Sequence, residues 1–252
     1  MKKVKISAVS YLNSKPMVHG IMKDPIMNSI DLALDHPADC AKKLLQGDVD
    51  LGLVPVAILP KMKEYHIVSD YCIGGDGPVH TVVIASDVPL HEIQTIYLDY
   101  QSRTSVMLCQ ILCRFFWNIT PEFKPAYEGY HQEVIGGTTA AVVIGDRVFD
   151  IEHKYKFMID LSDMWKKSTG EPFVFAAWVA NKPLDSSFVD ELNNALKDGC
   201  THLDETIEIY QPLFPKVDIA KYFEEEIVYD MTEDMHRGLD LFLQYVHKIE
   251  SE

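Results

Sequence analysis

Three polar segments of this chain stand where donors could converge on a small anion. Ser10-Tyr11-Leu12-Asn13-Ser14-Lys15-Pro16 follows an apolar run, Val4–Val9, and offers hydroxyls, a carboxamide and an ammonium. Ser102-Arg103-Thr104-Ser105 follows a strand-like run, Gln94–Leu98, and opens an apolar helix, Ser105–Phe116. Unpaired N–H groups and the positive dipole end gather at such a start, so hydroxyls there add to an anion site. Gly136-Gly137-Thr138-Thr139 precedes the apolar run Ala140–Ile144, and Gly145-Asp146 follows it. Plainer accounts exist for each segment. Asn13 suits an Asx turn before Pro16, Ser102 or Thr104 suits an N-cap, Arg103 suits solvent, and the glycine pair suits a simple turn. A carboxylate at Asp146 repels an anion unless it is paired, so an orienting role beside Arg103 or Arg147 is expected.

The elements that must hold these segments alternate in type. Ile30–Leu34 reads as a strand, and Pro37-Ala38-Asp39 opens a helix, Cys40–Gln46, closed by Gly47. Val49–Val56 reads as a strand, Ala57–Met62 as a helix start, and Gly74–Pro78 as a turn cluster. His80–Ala85, Lys124–Tyr127 and Phe173–Ala180 read as further strands, and Trp165–Gly170 ends a helix. Beyond Asp185 everything reads as helix, with Phe188, Leu192, Ala195 and Leu196 on one face and Leu239, Phe242, Leu243 and Val246 on another. Such alternation predicts an α/β fold with mainly parallel sheets. The order predicts two lobes. The first comprises residues 1–88 and is completed by 173–252; the second comprises 89–172. Two crossings form a hinge, ligands bind beyond the carboxyl ends of strands, and Ser86 is expected at that hinge.

Composition limits the partners. The chain has 252 residues, 23 Lys plus Arg against 38 Asp plus Glu, and a net charge of −15, which argues against nucleic acid and against a polybasic hold on membranes. Residues 185–252 hold 17 acidic and 5 basic side chains, so the helical tail, expected on the outside of the first lobe as a solubilising surface, carries most of the acidity. No window reaches the ~18 apolar residues of a membrane span. The apolar stretch after the N-terminal lysines is shorter than the about 7 residues a secretion signal needs. The five cysteines make no zinc pattern and are expected as buried thiols in a reducing cytosol.

Six blocks, in order and in register, resemble the MqnA family. They are Ser10-Tyr11-Leu12-Asn13-Ser14-Lys15-Pro16, Asp50-Leu51-Gly52-Leu53-Val54-Pro55, Asp76-Gly77-Pro78-Val79-His80-Thr81-Val82, Ser102-Arg103-Thr104-Ser105, Val143-Ile144-Gly145-Asp146 with Asp160-Leu161 and Trp165, and Thr169-Gly170-Glu171-Pro172-Phe173-Val174. The tail matches only in general character. The resemblance implies a type II periplasmic-binding-protein fold, which agrees with the two lobes, and a cytoplasmic chorismate dehydratase of the futalosine route to menaquinone. A sister family that makes 1,4-dihydroxy-6-naphthoate carries an early Pro-Asn-Asp run that this chain lacks. A non-catalytic solute-binding protein of the same fold is a second alternative, and a cytosolic effector-binding module a third, though such modules usually carry a DNA-binding segment.

The implied reaction turns chorismate into 3-(1-carboxyvinyloxy)benzoate by loss of water. The C3 proton leaves because the resulting anion delocalises into the ring carboxylate, and the C4 hydroxyl departs as the ring becomes aromatic. This needs neither metal nor redox cofactor. It needs two carboxylates held, moving charge stabilised and water excluded. The resemblance makes Asn13 and Thr81 the expected catalytic residues. Thr81 stands where the family often has Ser, which keeps the hydroxyl and adds a methyl. Ser10, Ser14, Ser102, Arg103, Thr104, Ser105, Gly137, Thr138 and Asp146 are the expected substrate contacts. On an alternating strand His80 faces away from Thr81. No side chain stands out as a base, so the substrate's own enolpyruvyl carboxylate is the expected proton acceptor, made effective by proximity.

Overall fold

The computed structural model of the protein describes residues 3–251. Its first sheet runs β11-β4-β10-β3-β1-β2, with β1 Val4–Val9, β2 Ile30–Asp35, β3 Leu51–Pro55, β4 His66–Gly75, β10 Phe173–Ala180 and β11 Val228–Asp230. The second runs β7-β6-β8-β5-β9, with β5 Val82–Ser86, β6 Thr95–Leu98, β7 Glu122–Pro125, β8 Thr139–Ile144 and β9 Phe157–Asp160. The α/β, two-sheet fold expected from the sequence is present. The sheets are mixed, however, not mainly parallel. β1 is parallel to β2 and β3, and β6 to β7 and β8. β10 is antiparallel to both β3 and β4, and β5 to both β8 and β9. The antiparallel strands are those that adjoin the crossings: a chain that leaves one sheet and returns to it after building the other re-enters in the opposite direction.

Two further expectations are corrected. Val82–Ser86 was expected in the first lobe, but its register with Ala141–Ile144 and Phe157–Asp160 places it in the second sheet. The glycine-rich segment after β4 is therefore the crossing itself. The tail is not wholly helical, since Val228–Asp230 adds an antiparallel edge strand to β4. Three residues are too few for periodicity to reveal. Ser86 Oγ closes a local turn with the Val88 carbonyl (2.9 Å) and N–H (3.1 Å) at the end of β5 away from the crossing, which removes the hinge role given to it.

Local chemistry explains the helices that flank the sheets. α1 Lys15–Lys23 takes Pro16 in its first turn, and α2 Pro37–Gln46 starts on Pro37 and ends at Gly47 with φ +75°. α3 Thr104–Ile111 continues as a π turn over Leu112–Phe116, and α4 is the single turn Tyr130–Glu133. α5 Leu161–Thr169 is capped by Asp160, whose carboxylate accepts the Asp163 N–H at 3.0 Å. The tail holds α6 Ser186–Thr201, α7 Leu203–Tyr210, the short α8 Ile219–Lys221 and α9 Glu233–Glu250, the last capped by Thr232. The lining-up of apolar positions predicted for the tail is found: Leu192, Ala195, Leu196, Leu239, Phe242 and Val246 are buried. All eight residues of β10 are buried, as befits a central strand covered on both faces. Four cysteines are buried free thiols and Cys200 is half-buried; burial pushes Cys40 up to about 11.

The tail also grips the start of the chain. α6 crosses α1 where Gly199 faces Gly20, so closely that a Cβ on Gly199 would lie 2.0 Å from the Pro16 carbonyl oxygen. Gly199→Ala must push α1 away and is expected to cost about 1–3 kcal/mol, the usual range for overpacking. Urea unfolding of the variant against the parent measures it, and an unchanged midpoint would contradict the packing.

Candidate active site

A cleft with about 540 Å³ of atom-free space, part of it open to solvent, lies where the two sheets face each other. Its apolar surface comes from Val9, Pro55, Ile73, Ile144, Phe175 and Ile227, and its polar surface from Asn13, Thr81, Ser102, Thr104 and Ser105. The three segments that carry those polar groups are 68 and 21 residues apart in sequence, counting Asn13 to Thr81 and Thr81 to Ser102. The fold joins them because each follows the carboxyl end of β1 or β6 or lies in the crossing between β4 and β5.

Each donor is held by identifiable contacts. Ser102 Oγ accepts the Ser105 N–H at 3.1 Å from one residue ahead of the N-cap position, which Arg103 occupies, and Ser102 faces the cleft. Thr104 Oγ1 accepts the Ala57 N–H at 3.2 Å, tying α3 to the first lobe. Thr81 Oγ1 lies 2.8 Å from the Tyr222 hydroxyl. Asn13 Oδ1 is buried and has no hydrogen-bond partner among the described residues, an unmet acceptor of the kind a ligand satisfies.

The lobes touch across the cleft. The Leu12 N–H donates to Asp146 Oδ1 at 3.0 Å, the Ala38 N–H to the Gln101 carbonyl at 3.1 Å, and the Tyr11 hydroxyl to Gln101 Oε1. The Tyr11 ring lies against Gly145, where φ is +62° and a Cβ would come within 2.9 Å of the ring. Glycine is required there twice over, by conformation and by space. Asp146 thus orients the Asn13 loop through a backbone amide, and the pairing proposed for it with an arginine does not form. Arg147 instead pairs with Asp99 at 2.6 Å, and Tyr130 donates to the same carboxylate at 2.5 Å. Asp99 is buried, so a partner of each kind offsets its desolvation. The Arg147 guanidinium also lies 5.4 Å from the Tyr100 ring centroid.

Several expected contacts lie outside the cleft. Ser14 is buried with its hydroxyl committed to the Val9 and Tyr11 carbonyls, at 2.5 and 2.8 Å, and so shapes the loop. Ser10 is half-buried, its N–H bonded to the Asp35 carbonyl at 2.9 Å, and is not part of the cleft wall. Arg103 is exposed, and its guanidinium folds back onto the Tyr100 and Ser102 carbonyls at 3.3 and 2.9 Å. Gly137 and Thr138 are exposed at the amino end of β8, about 20 Å of strand from the Gly145 end that meets the cleft. Their misplacement has one cause: ligands sit at carboxyl ends, and a glycine pair before a strand stands at the other. His80 leaves the strand with φ +57° and pairs with Glu226 at 3.1 Å, while Asp160 accepts the Val79 and His80 N–H groups at 3.0 and 2.7 Å. Tyr11, Asp99 and Tyr222 escaped the sequence reading. Tyr11 stood inside a matched block and could have been found there; Tyr222 lies in the tail, where no block matched.

Burial governs the ionisable groups. It raises the Tyr222 and Tyr11 phenols far above the ordinary range, so both stay protonated. It raises Asp146, against the lowering effects of the Leu12 N–H, Lys15 and Arg147. It lowers Lys15, whose ammonium lies 5.5 Å from the Tyr210 ring centroid.

Two mixed sheets joined by two crossings, with a cleft between them, define a periplasmic-binding-protein-like fold. Solved structures agree on the fold. A protein from Archaeoglobus fulgidus superposes with a TM-score of 0.79 at 14% identity, covering 99% of this chain and 98% of that one. The periplasmic aliphatic sulphonate binding protein of Escherichia coli gives 0.62 at 12% identity, covering 100% and 92%. The chain belongs to the menaquinone biosynthesis family, whose model matches residues 4–248, and the resemblance to the MqnA family holds. A curated relative, the chorismate dehydratase of Thermus thermophilus, is 26% identical over 192 residues, 68% of this chain and 70% of that one.

Because Asp146 has a raised pKa, its ionisation opposes folding. The penalty is absent below the ordinary aspartate pKa, grows as pH rises toward the raised value and is complete above it. Asp146→Asn keeps an acceptor for Leu12 and removes the charge. Its melting temperature is expected to exceed the parent's at pH 7 and to converge with it below about pH 4. Thermal unfolding across that range checks the sign, and a variant less stable at pH 7 than at pH 4 relative to the parent contradicts it.

Proposed function

We propose that the protein is a chorismate dehydratase of the cytoplasm, converting chorismate to 3-(1-carboxyvinyloxy)benzoate on the futalosine route to menaquinone. The observation that carries this reading is the meeting of Asn13, Thr81 and the start of α3 in one largely apolar cleft between the sheets. The family and the name of the Thermus relative support it. The cleft wall has the donors for two carboxylates and the apolar surface for a ring.

That wall contains no Asp, Glu, His, Lys or Arg among the described residues. Tyr11 and Tyr222 are held protonated by burial. The base is therefore the substrate's own enolpyruvyl carboxylate. It takes the C3 proton, and the C–H electron pair enters the diene and the ring carboxylate. The electrons return to aromatise the ring as the C4–O bond breaks, and the proton leaves with the hydroxyl as water. Thr81 and the α3 start stabilise the ring carboxylate as its charge grows, Asn13 holds the C4 hydroxyl, and the apolar wall excludes bulk water.

Incubation with chorismate should abolish its diene absorbance and yield the substituted benzoate. Asn13→Ala is expected to lower kcat/KM by about 100-fold, the scale of losing one preorganised polar contact. Substitution of any single histidine or glutamate should leave turnover measurable. A folded, substrate-binding His or Glu variant without chemistry would overturn substrate-assisted proton removal. Unchanged chorismate together with tight binding of another solute would favour a solute-binding protein instead.

A further inference from the structure

The tail delivers one hydroxyl to the back of the cleft. Tyr222 is 2% exposed, and its hydroxyl lies 2.8 Å from Thr81 Oγ1. The phenol thus serves a group that also lines the cleft, and its oxygen carries a single proton while accepting others.

The direction of this hydrogen bond follows from the other contact of Thr81, which donates to the Val79 carbonyl. The Tyr222 proton then goes to Thr81 Oγ1. That leaves the Thr81 proton for some other acceptor, and the one within the protein is the Val79 carbonyl at 3.3 Å. A carboxylate in the cleft makes a shorter, charge-assisted bond and displaces so long a contact.

We propose that Tyr222 is a positioning residue that sets the hydrogen-bond direction of Thr81, presenting its hydroxyl to the substrate as a donor. The inference rests on the dehydratase reading for its consequences. Thr81 donates to the ring carboxylate, whose charge grows in the transition state. A hydrogen bond that strengthens as charge develops acts on kcat more than on KM.

Tyr222→Phe retains the ring and removes only the hydroxyl. It is expected to lower kcat about tenfold while KM moves less than about threefold. Thr81→Val should cost a similar factor, and the double variant should be no slower than Thr81→Val alone, since the phenol acts through Thr81. Wild-type kcat in Tyr222→Phe, or losses that multiply in the double variant, would overturn the proposal. The direction of the bond is also read without mutation, by NMR of the parent protein. A slowly exchanging phenol proton with contacts to the Thr81 methyl supports it, and a phenol proton exchanging as fast as that of a surface tyrosine refutes it. The NMR result decides the matter if Tyr222→Phe fails to fold. A parent protein that leaves chorismate intact refutes the dehydratase reading alone, and the phenol proton still reports on Tyr222.

Discussion

The bond from the Leu12 N–H to the Asp146 carboxylate crosses the cleft, and much of the site depends on it. It holds the loop that carries Asn13 against the second sheet, with Tyr11 laid over Gly145 beside it. The neighbouring residue, Arg147, is occupied by the buried Asp99, which fixes the turn from below. A backbone amide is a demanding partner: it can be offered only if the loop has one conformation. Closure, loop geometry and the placement of the Asn13 carboxamide are therefore one event. Asp146 is the interaction with least slack, because it is a half-exposed residue whose carboxyl group burial drives toward neutrality.

Electrostatics in the protein are divided by region. The net charge of −15 belongs mostly to residues 185–252, and the cleft wall is uncharged. An acidic protein can therefore accept a dianion, provided hydroxyls, a carboxamide and helix-start N–H groups do the binding. Neutral donors also avoid the desolvation cost that buried cations would incur. The tail is more than a solubilising surface. α6 packs glycine to glycine against α1, β11 extends the first sheet, and Tyr222 reaches the rear of the site.

Much of this was legible in the residues. Much of the strand and helix order, the Gly47 cap and the buried β10 follow from patterns a few residues long, though β4 and β9 are not among the strands read that way. Asn13 and Thr81 were marked by the family resemblance. Arg103 misled because a guanidinium at a helix start suggests an anion, yet its long stem lets it return to its own carbonyls. Gly137 and Thr138 misled because a glycine pair says nothing about which end of a strand it occupies relative to the ligand. Val82–Ser86 was assigned to the wrong lobe because a turn signal does not distinguish a hairpin from a crossing.

Periodicity, caps and the matched blocks are local properties, and from them the sequence by itself determined the α/β class, the family and the loops that line the cleft. The tertiary structure alone decided which partners those loops meet: Asp146 with Leu12, Arg147 with Asp99, Tyr222 with Thr81. These pairs lie 134, 48 and 141 residues apart. No short-range pattern encodes such contacts, since they arise only when two sheets close on one another and each buried polar atom must find whatever partner the packing brings within reach.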